Sequence, residues 1–375
     1  MPEQDYVTAL IADLEQALPL VWGRKVYSVF FGGGTPSLFS PRSVDAILSA
    51  VRARLPLAAD AEITLEANPG TFEAEKFKAF RAAGVNRLSI GIQSFNPRHL
   101  KALGRIHDDI VARRAIEIAR ASFDNFNLDL MYGLPQQTVE EAGADIEAAL
   151  EYAPPHLSAY HLTIEPNTYF YRYPPKLPDD EVTADMQTAM EELLAAHGYV
   201  HYEVSAFAKR GGAEDESGEK KLSPLTAHRS PLTAFCRHNL NYWIFGDYLG
   251  IGAGAHGKLS FRDKIIRQMR YKQPKQYMET ALQGRAIQTE AEISAREIGF
   301  EFMMNALRLT EGFDANLFAE RAGVPLTTVL KELDEAERRG LITRDHQRIA
   351  PTPLGRRFLN DLLQIFLPER SECVT

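Results

Sequence analysis

Cysteine is nearly absent: Cys236 and Cys373 are the only two in 375 residues. That scarcity excludes a disulfide framework and any metal site built from three or four cysteines. No apolar stretch approaches the ~18 residues of a membrane span. The N-terminal "MPEQDYVTALIADLEQ" is acidic and amphipathic, unlike a signal peptide. An excess of positive charge is missing too. The formal net charge is −8, which gives no global attraction to nucleic acid or an anionic membrane. A cytoplasmic protein with no nucleic-acid partner and no integral membrane segment is expected. Hydrophobic content of 45% with 25% charged residues is ordinary for a globular chain. The length favours one large domain plus a smaller one.

What is present is a regular alternation of patterns over residues 1–205. Val7, Leu10, Ile11, Leu14 and Leu18 mark a helix face, and "KVYSVFF" then reads as a buried strand. Ser40 and Pro41 open a helix carrying Val44, Ile47, Leu48 and Val51. "AEITLEANPG" is a strand, and Thr71 is placed to cap the following helix. "VNRLSIGIQSF", "NFNLDLMYGLP", "HLSAYHLTIEP" and "YVHYEVSAF" read as further strands. A capping box at Thr138 and Glu141 starts a helix over 139–152, and another is expected over 180–196. Strands alternating with helices of this length predict parallel βαβ units, in an open sheet or a barrel.

Thr35, Glu66, Gln93, Asp129 and Glu165 each fall at or just beyond the C-terminal end of a strand. That rim is where α/β barrels and sheets bind ligands. Each alone is equally an ordinary turn or cap residue; the recurrence is what counts. Residues 208–235 break the pattern with Gly, Ser, Pro and mixed charge, and predict a flexible exposed loop. Beyond 294, helices near 294–309, 314–322 and 326–339 precede a hairpin in "GLITRDHQRIAPT" and a last helix at 353–366. This order resembles a small winged-helix-like module. Its basic residues are balanced by "KELDEAE", so packing or a lid role is favoured over DNA binding.

Three motifs bear on chemistry. "GGGTP" after the first strand lacks the Lys-Ser/Thr of a phosphate loop. Its amides and hydroxyl suit a small ammonium or carboxylate group, or else form a tight structural turn. "GIGAGAHGK" at 250–258 formally contains G-x-G-x-x-G, but no clear helix or correctly spaced acid follows, so a dinucleotide fold is rejected. "CRHNLNYW" at 236–243 combines Cys236, His238, Asn239, Tyr242 and Trp243. Imidazole and thiolate are ligands for haem iron or zinc, and aromatic faces suit a macrocycle. Zinc would need His228 or His256 as well. From the residues alone, an aromatic strand with a satisfied histidine is the simpler reading.

Taken together, "FFGGGTPS", "EITLEANPGT", "GVNRLSIGIQSF", "LGRIH", "FNLDLMYGLPQQT", "PPHLSAYHLTIEPNT", "HNLNYW" and "GDYLGIGAGAHGK" resemble the radical S-adenosylmethionine proteins related to oxygen-independent coproporphyrinogen III oxidase. Within that family they match the branch of haem chaperones. The resemblance implies an α/β fold: a partial (β/α) barrel of parallel strands over 1–260, with the insertion 209–235, and a C-terminal helical, winged-helix-like domain over 261–375. It implies that Gly33, Gly34, Thr35, Glu66, Gln93, Arg105 and Asp129 contact S-adenosyl-L-methionine. Because "HNxxYW" is associated with haem in the chaperone branch, it selects His238, Asn239, Tyr242 and Trp243, with Cys236 and His256 as candidate accessory ligands. The implied partners are haem and a haem-acceptor protein, respiratory proteins among them.

One departure stands out. Members of the family begin with a strand and a Cys-x3-Cys-x2-Cys loop that holds a [4Fe–4S] cluster; here no cysteine precedes Cys236. The barrel is therefore expected to lack its first strand, with an exposed edge unless another element covers it. Bound S-adenosylmethionine is expected to be weakened. Either the start lies at the wrong methionine or this is a cluster-less paralogue that keeps a haem role. The competing expectation, a coproporphyrinogen-oxidase-like radical enzyme, is inactive in a chain without the cluster cysteines.

Overall fold

The computed structural model describes residues 2–71, 73–209 and 234–368. Of the flexible loop expected over 208–235, Ala208 and Lys209 instead end a strand and Ala234 and Phe235 are described; the rest lies outside the described residues, as do His228 and Cys373. Helix α1 (Glu3–Val21) leads into β1 (Val26–Phe31), α2 (Pro41–Arg54), β2 (Leu57–Ala67), α3 (Ala74–Ala83) and β3 (Arg87–Gln93). Then come α4 (Pro97–Ala102), α5 (Asp109–Ser122), β4 (Asn125–Tyr132), α6 (Val139–Leu150) and β5 (His156–His161). Ser40 accepts from the Ser43 amide at the start of α2, with Pro41 at its first turn, and the Thr138–Glu141 capping box starts α6. Strands β1 to β5 are parallel and adjacent in chain order, which makes a partial (β/α) barrel. Its interior apolar layer includes Leu65, Phe77, Phe80, Leu88, Ile116 and Leu128, all fully buried.

Two local expectations are corrected. Thr71 does not cap α3: it closes a 3-10 turn, with its hydroxyl on the Asn68 carbonyl (2.8 Å), and the N-cap is Glu73. "YVHYEVSAF" is not one strand but a hairpin, β6 (Tyr199–Glu203) and β7 (Ala206–Lys209), after α7 (Tyr169–Arg172) and α8 (Asp180–Ala196). Strand β7 inserts between β5 and β6 and runs antiparallel to both, ending the seven-stranded sheet in the order β1-β2-β3-β4-β5-β7-β6. The Glu203 carboxylate accepts the Ser205 amide at 3.3 Å and helps turn the chain.

At the other edge β1 pairs only with β2 among the described residues. Helix α9 (Arg237–Trp243) packs against it, with the His238 ring stacked on Phe30 at 4.2 Å and 14°. Residue 260, where the sequence reading ended the barrel, is the last of β8 (His256–Ser260). Its hairpin partner β9 (Ile265–Arg270) and then β10 (Ile287–Glu292) complete a three-stranded antiparallel sheet on both sides of that position. Helix α10 (Pro274–Ala281) links β9 to β10 and packs on α1. The C-terminal part follows the expected order. It comprises α11 (Ile298–Ala306), β11 (Phe313–Asp314), α12 (Ala315–Ala322), α13 (Leu330–Arg338), the hairpin β12 (Ile342–Arg344) and β13 (Arg348–Pro351), and two short helices at 353–357 and 359–364. β11 adds a third strand beside β13. This module shares one apolar core with Tyr202, Leu240, Ile244 and Phe245, so it grips the back of α9.

Candidate functional site

A cavity of about 440 Å³ opens at the C-terminal ends of β1 to β5. Gly34, Thr35, Glu66, Gln93, Arg105 and Asp129 all line it. A second hollow, about 510 Å³, lies at the opposite end of β2 and β3 and is lined by no carboxylate. Glu165 does not join the cavity: it lies four residues past β5, exposed, where its carbonyl accepts the Thr168 hydroxyl at 2.6 Å.

The glycine run is explained by backbone geometry. Gly33 (φ +80°) and Gly34 (φ +61°) are left-handed, and a Cβ on either would meet nothing within 4 Å, so the space above them is open. Gly32 differs: a Cβ there would lie 2.6 Å from the Phe30 ring and 3.3 Å from Glu66 Cδ. The turned chain donates the Gly33 amide to Glu66 Oε2 at 3.0 Å, and the Asn68 amide donates to Thr35 Oγ1 at 3.2 Å. Gln93 is also left-handed (φ +70°) at a register shift between β3 and β4. A non-glycine residue in this region carries strain that the surrounding structure must hold, as binding sites often do.

Electrostatically the cavity combines two carboxylates, Glu66 and Asp129, with two arginines, Arg87 and Arg105. Burial raises the Glu66 pKa, the Gly33 amide opposes this, and the Asp129 charge raises it further. Burial also raises Asp129, against donors from Ser89 (2.9 Å) and Asn127 (2.7 Å) and the Arg87 charge. Arg105 lies at the mouth, where partial desolvation against the cavity wall lowers its pKa, and it forms no ion pair among the described residues. Two carboxylates that burial makes harder to ionise, with a cation at the rim, fit a ligand that carries a positive centre and a carboxylate. S-Adenosylmethionine has both. A cation between Glu66 and Asp129 favours their ionised forms, so binding should be full above their raised pKa values and weaken as pH falls through them. Calorimetry across the acid range should show that one-sided loss; an affinity flat with pH would place the cation elsewhere.

The "HNLNYW" residues form helix, not strand. The helix start is held from across the barrel: Glu62 of β2 accepts the Arg237 and His238 amides, each at 3.2 Å, and the Cys236 thiol at 3.6 Å. Cys236 and Asn239 thereby become part of the cavity wall with Phe30 and Arg87. The His238 ring, stacked on Phe30, meets Tyr242 edge-on at 4.8 Å, and Tyr242 meets Tyr248 at 4.4 Å. Arg308 lies over Trp243 at 5.1 Å. Burial, helped by the Arg87 charge, lowers the His238 pKa to about 4, so the imidazole is neutral at pH 7. Neutral imidazole is the form that ligates iron. Glu203, buried beside Asn239 and Trp243, is pushed up to about 7 by its burial.

The metal question divides. Burial raises the Cys236 thiol to about 12, so it is protonated, and His256 is exposed at the start of β8. Among the described residues no three His, Cys, Asp or Glu side chains converge to hold a metal. A [4Fe–4S] cluster needs several thiolates, and the described part of this chain offers one neutral thiol. These residues do not fit a cluster, while those around the cavity do fit S-adenosylmethionine. Sequence reasoning missed Arg87 and Asn127 of the cavity lining, and Glu62, His156 and Tyr202 buried behind it. The available signal was a polar residue inside a buried strand pattern, as in "EITLE" and "FNLDL".

Comparison with known proteins gives a consistent picture. Residues 5–149 match the model of the Radical SAM superfamily, and residues 293–358 match the HemN C-terminal domain. The chain is 46% identical over 371 residues to the heme chaperone HemW of Escherichia coli, spanning 98% of this chain and 91% of that protein. It is 43% identical to the heme chaperone HemW of Haemophilus influenzae, over the same shares of each chain. It is 34% identical to the mitochondrial radical S-adenosyl methionine domain-containing protein 1 of Mus musculus, covering 97% of this chain and 80% of that one. The solved coproporphyrinogen III oxidase (HemN) from Escherichia coli superposes with a TM-score of 0.76 at 24% identity, covering 97% of this chain and 83% of that one. That last likeness establishes the fold. Among the described residues no helix is long and apolar enough to cross a membrane.

Proposed function

From the premise that this chain belongs to the heme chaperone HemW family of the radical S-adenosylmethionine superfamily, we propose that it binds haem and delivers it to an acceptor protein in the cytoplasm. The observation that carries this reading is the placement of "HNLNYW". One side of its helix faces the cavity, the other is gripped by the C-terminal module, and its imidazole is neutral. Phe30 stacks on His238, Tyr242 meets it edge-on, and Trp243 and Tyr248 pack in turn against Tyr242, an aromatic cluster that suits a macrocycle. The stack on Phe30 fixes the plane of the His238 ring, and iron would be met by a nitrogen at the edge of that ring.

In the cavity, Glu66 and Asp129 would hold the positive centres of S-adenosylmethionine and Arg105 its carboxylate, with Gly34 and Thr35 lining the approach. In this superfamily that ligand supplies radical chemistry when paired with a reduced cluster. The cavity residues would bind and orient it, and the sulfonium chemistry itself is the cofactor's.

Titration with hemin tests the reading. About one equivalent should bind, with a Soret band that changes on His238→Ala. Identical titrations for wild type and variant would remove His238 as the ligand, and no uptake by either would sink the chaperone reading.

A further inference from the structure

The floor of the cavity and the start of the haem-motif helix are joined by a buried hydrogen-bond chain that neither binding reading uses. The Cys236 amide donates to Tyr202 Oη at 3.2 Å. Tyr202 lies 2.8 Å from His156 Nε2, and His156 Nδ1 lies 2.7 Å from Asn127 Oδ1. Asn127 Nδ2 then donates to Asp129 Oδ1 at 2.7 Å. The roles follow from chemistry. An amide oxygen only accepts, so Nδ1 carries the proton, Nε2 accepts, and the tyrosine hydroxyl donates to it. His156, Tyr202 and Asn127 are all 2% exposed or less, and burial keeps His156 neutral.

Every donor therefore points toward the Asp129 carboxylate. Its negative charge polarises the links in series, each strengthening the next. A cationic ligand that takes up that charge weakens the pull on Asn127, and with it the hold on the Cys236 amide. That amide lies immediately before the helix carrying His238. We propose that His156 and Tyr202 are positioning residues that couple S-adenosylmethionine in the carboxylate cavity to release of the motif helix for haem. The coupling rests on the functional reading above, and its sign is positive.

The test is a hemin titration of the full chain with and without saturating S-adenosylmethionine, with the affinity for each ligand alone measured separately. In the wild type the second ligand should raise haem affinity at least about fivefold, the low end of ordinary coupling. Tyr202→Phe removes both hydroxyl links while sparing the carboxylates and the motif residues. It should bring the factor to about one and leave the affinity for S-adenosylmethionine alone within about twofold. His156→Gln, whose amide can accept from Tyr202 and donate to Asn127, should keep the coupling, and His156→Leu should lose it. A merely structural role would lower both separate affinities and leave the factor intact. A wild-type factor of one with both ligands bound, or an undiminished factor in Tyr202→Phe, overturns the coupling alone. Failure of either ligand to bind wild type overturns the functional reading, and the coupling with it.

Discussion

Asp13→Ala should cost about 3–5 kcal/mol of stability, seen as a lowered urea midpoint. Asp13 sits on α1 with 1% of its surface exposed, and so does Arg270 of β9. The carboxylate accepts from Arg270 Nε (3.3 Å) and Nη2 (3.2 Å), from Tyr277 Oη (2.8 Å) and from the Gly252 amide (3.3 Å). Alanine would strand a buried guanidinium whose remaining partner is Gln268 Oε1 at 3.0 Å. Breaking a buried pair on one side is the expensive case, because the other charge stays desolvated. Replacing the group as a whole (Asp13→Leu, Arg270→Met and Tyr277→Phe together) should recover much of the loss, since no charge is left behind. A loss under about 1 kcal/mol in the single variant would mean that water reaches Arg270.

The same group explains a motif whose glycines looked like a nucleotide signature. Gly252 (φ +117°) presents its amide to Asp13, and a Cβ on Gly250 would lie 1.9 Å from the His256 carbonyl oxygen. "GIGAGAHGK" is thus the seat on which α1 meets the antiparallel sheet. Its glycines serve close backbone approach rather than a phosphate.

What was legible in the sequence was local. The parallel strands announced themselves as apolar runs bounded by caps such as Ser40 and Thr138, whose hydrogen bonds lie within a few residues. Glu66 was legible because it is next to last in β2, on the end of a βαβ series where ligands bind; Asp129 instead lies midway along β4, and reaches the same cavity from deeper in the strand. What failed to read was set at long range. The β6–β7 reversal has no glycine, proline or asparagine to mark it, and its register comes from β5. The motif helix takes its N-terminal support from Glu62, far away in the sequence, so "RHNLNYW" alone looks like an aromatic strand. Arg87 and His156 open their strands, Glu62 lies midway along β2, and all three are buried. Only their shared burial shows that they belong to one network.

S-Adenosylmethionine should bind this chain no tighter than the high-micromolar to millimolar range, about −4 to −6 kcal/mol, and Asp129→Asn or Glu66→Gln should abolish it. The described residues hold no cluster ligand set to chelate the ligand's amine and carboxylate, so affinity rests on the cavity alone. Its hydrogen bonds contribute only ~0.5–1.5 kcal/mol each, somewhat more when charged. One donor is already engaged, since the Gly33 amide is on Glu66. Against these stands the entropy of association, several kcal/mol or more. What tips the balance is charge. Glu66 and Asp129 are both harder to ionise in the empty cavity than in water, and a cation relieves that cost for both at once. Removing either carboxylate forfeits about 2–5 kcal/mol, the usual loss when one side of a desolvated charge pair is truncated. That is comparable to the whole expected binding energy. Asp129→Asn is the cleaner variant, because its Oδ1 can still accept from Asn127 while its Nδ2 donates to the Ser89 hydroxyl, so the floor keeps its shape. Arg105→Gln, at the exposed mouth, should weaken binding by only about tenfold, roughly 1.4 kcal/mol. Calorimetry decides among these: a low-micromolar dissociation constant without iron would mean that the protein groups complete the site by themselves.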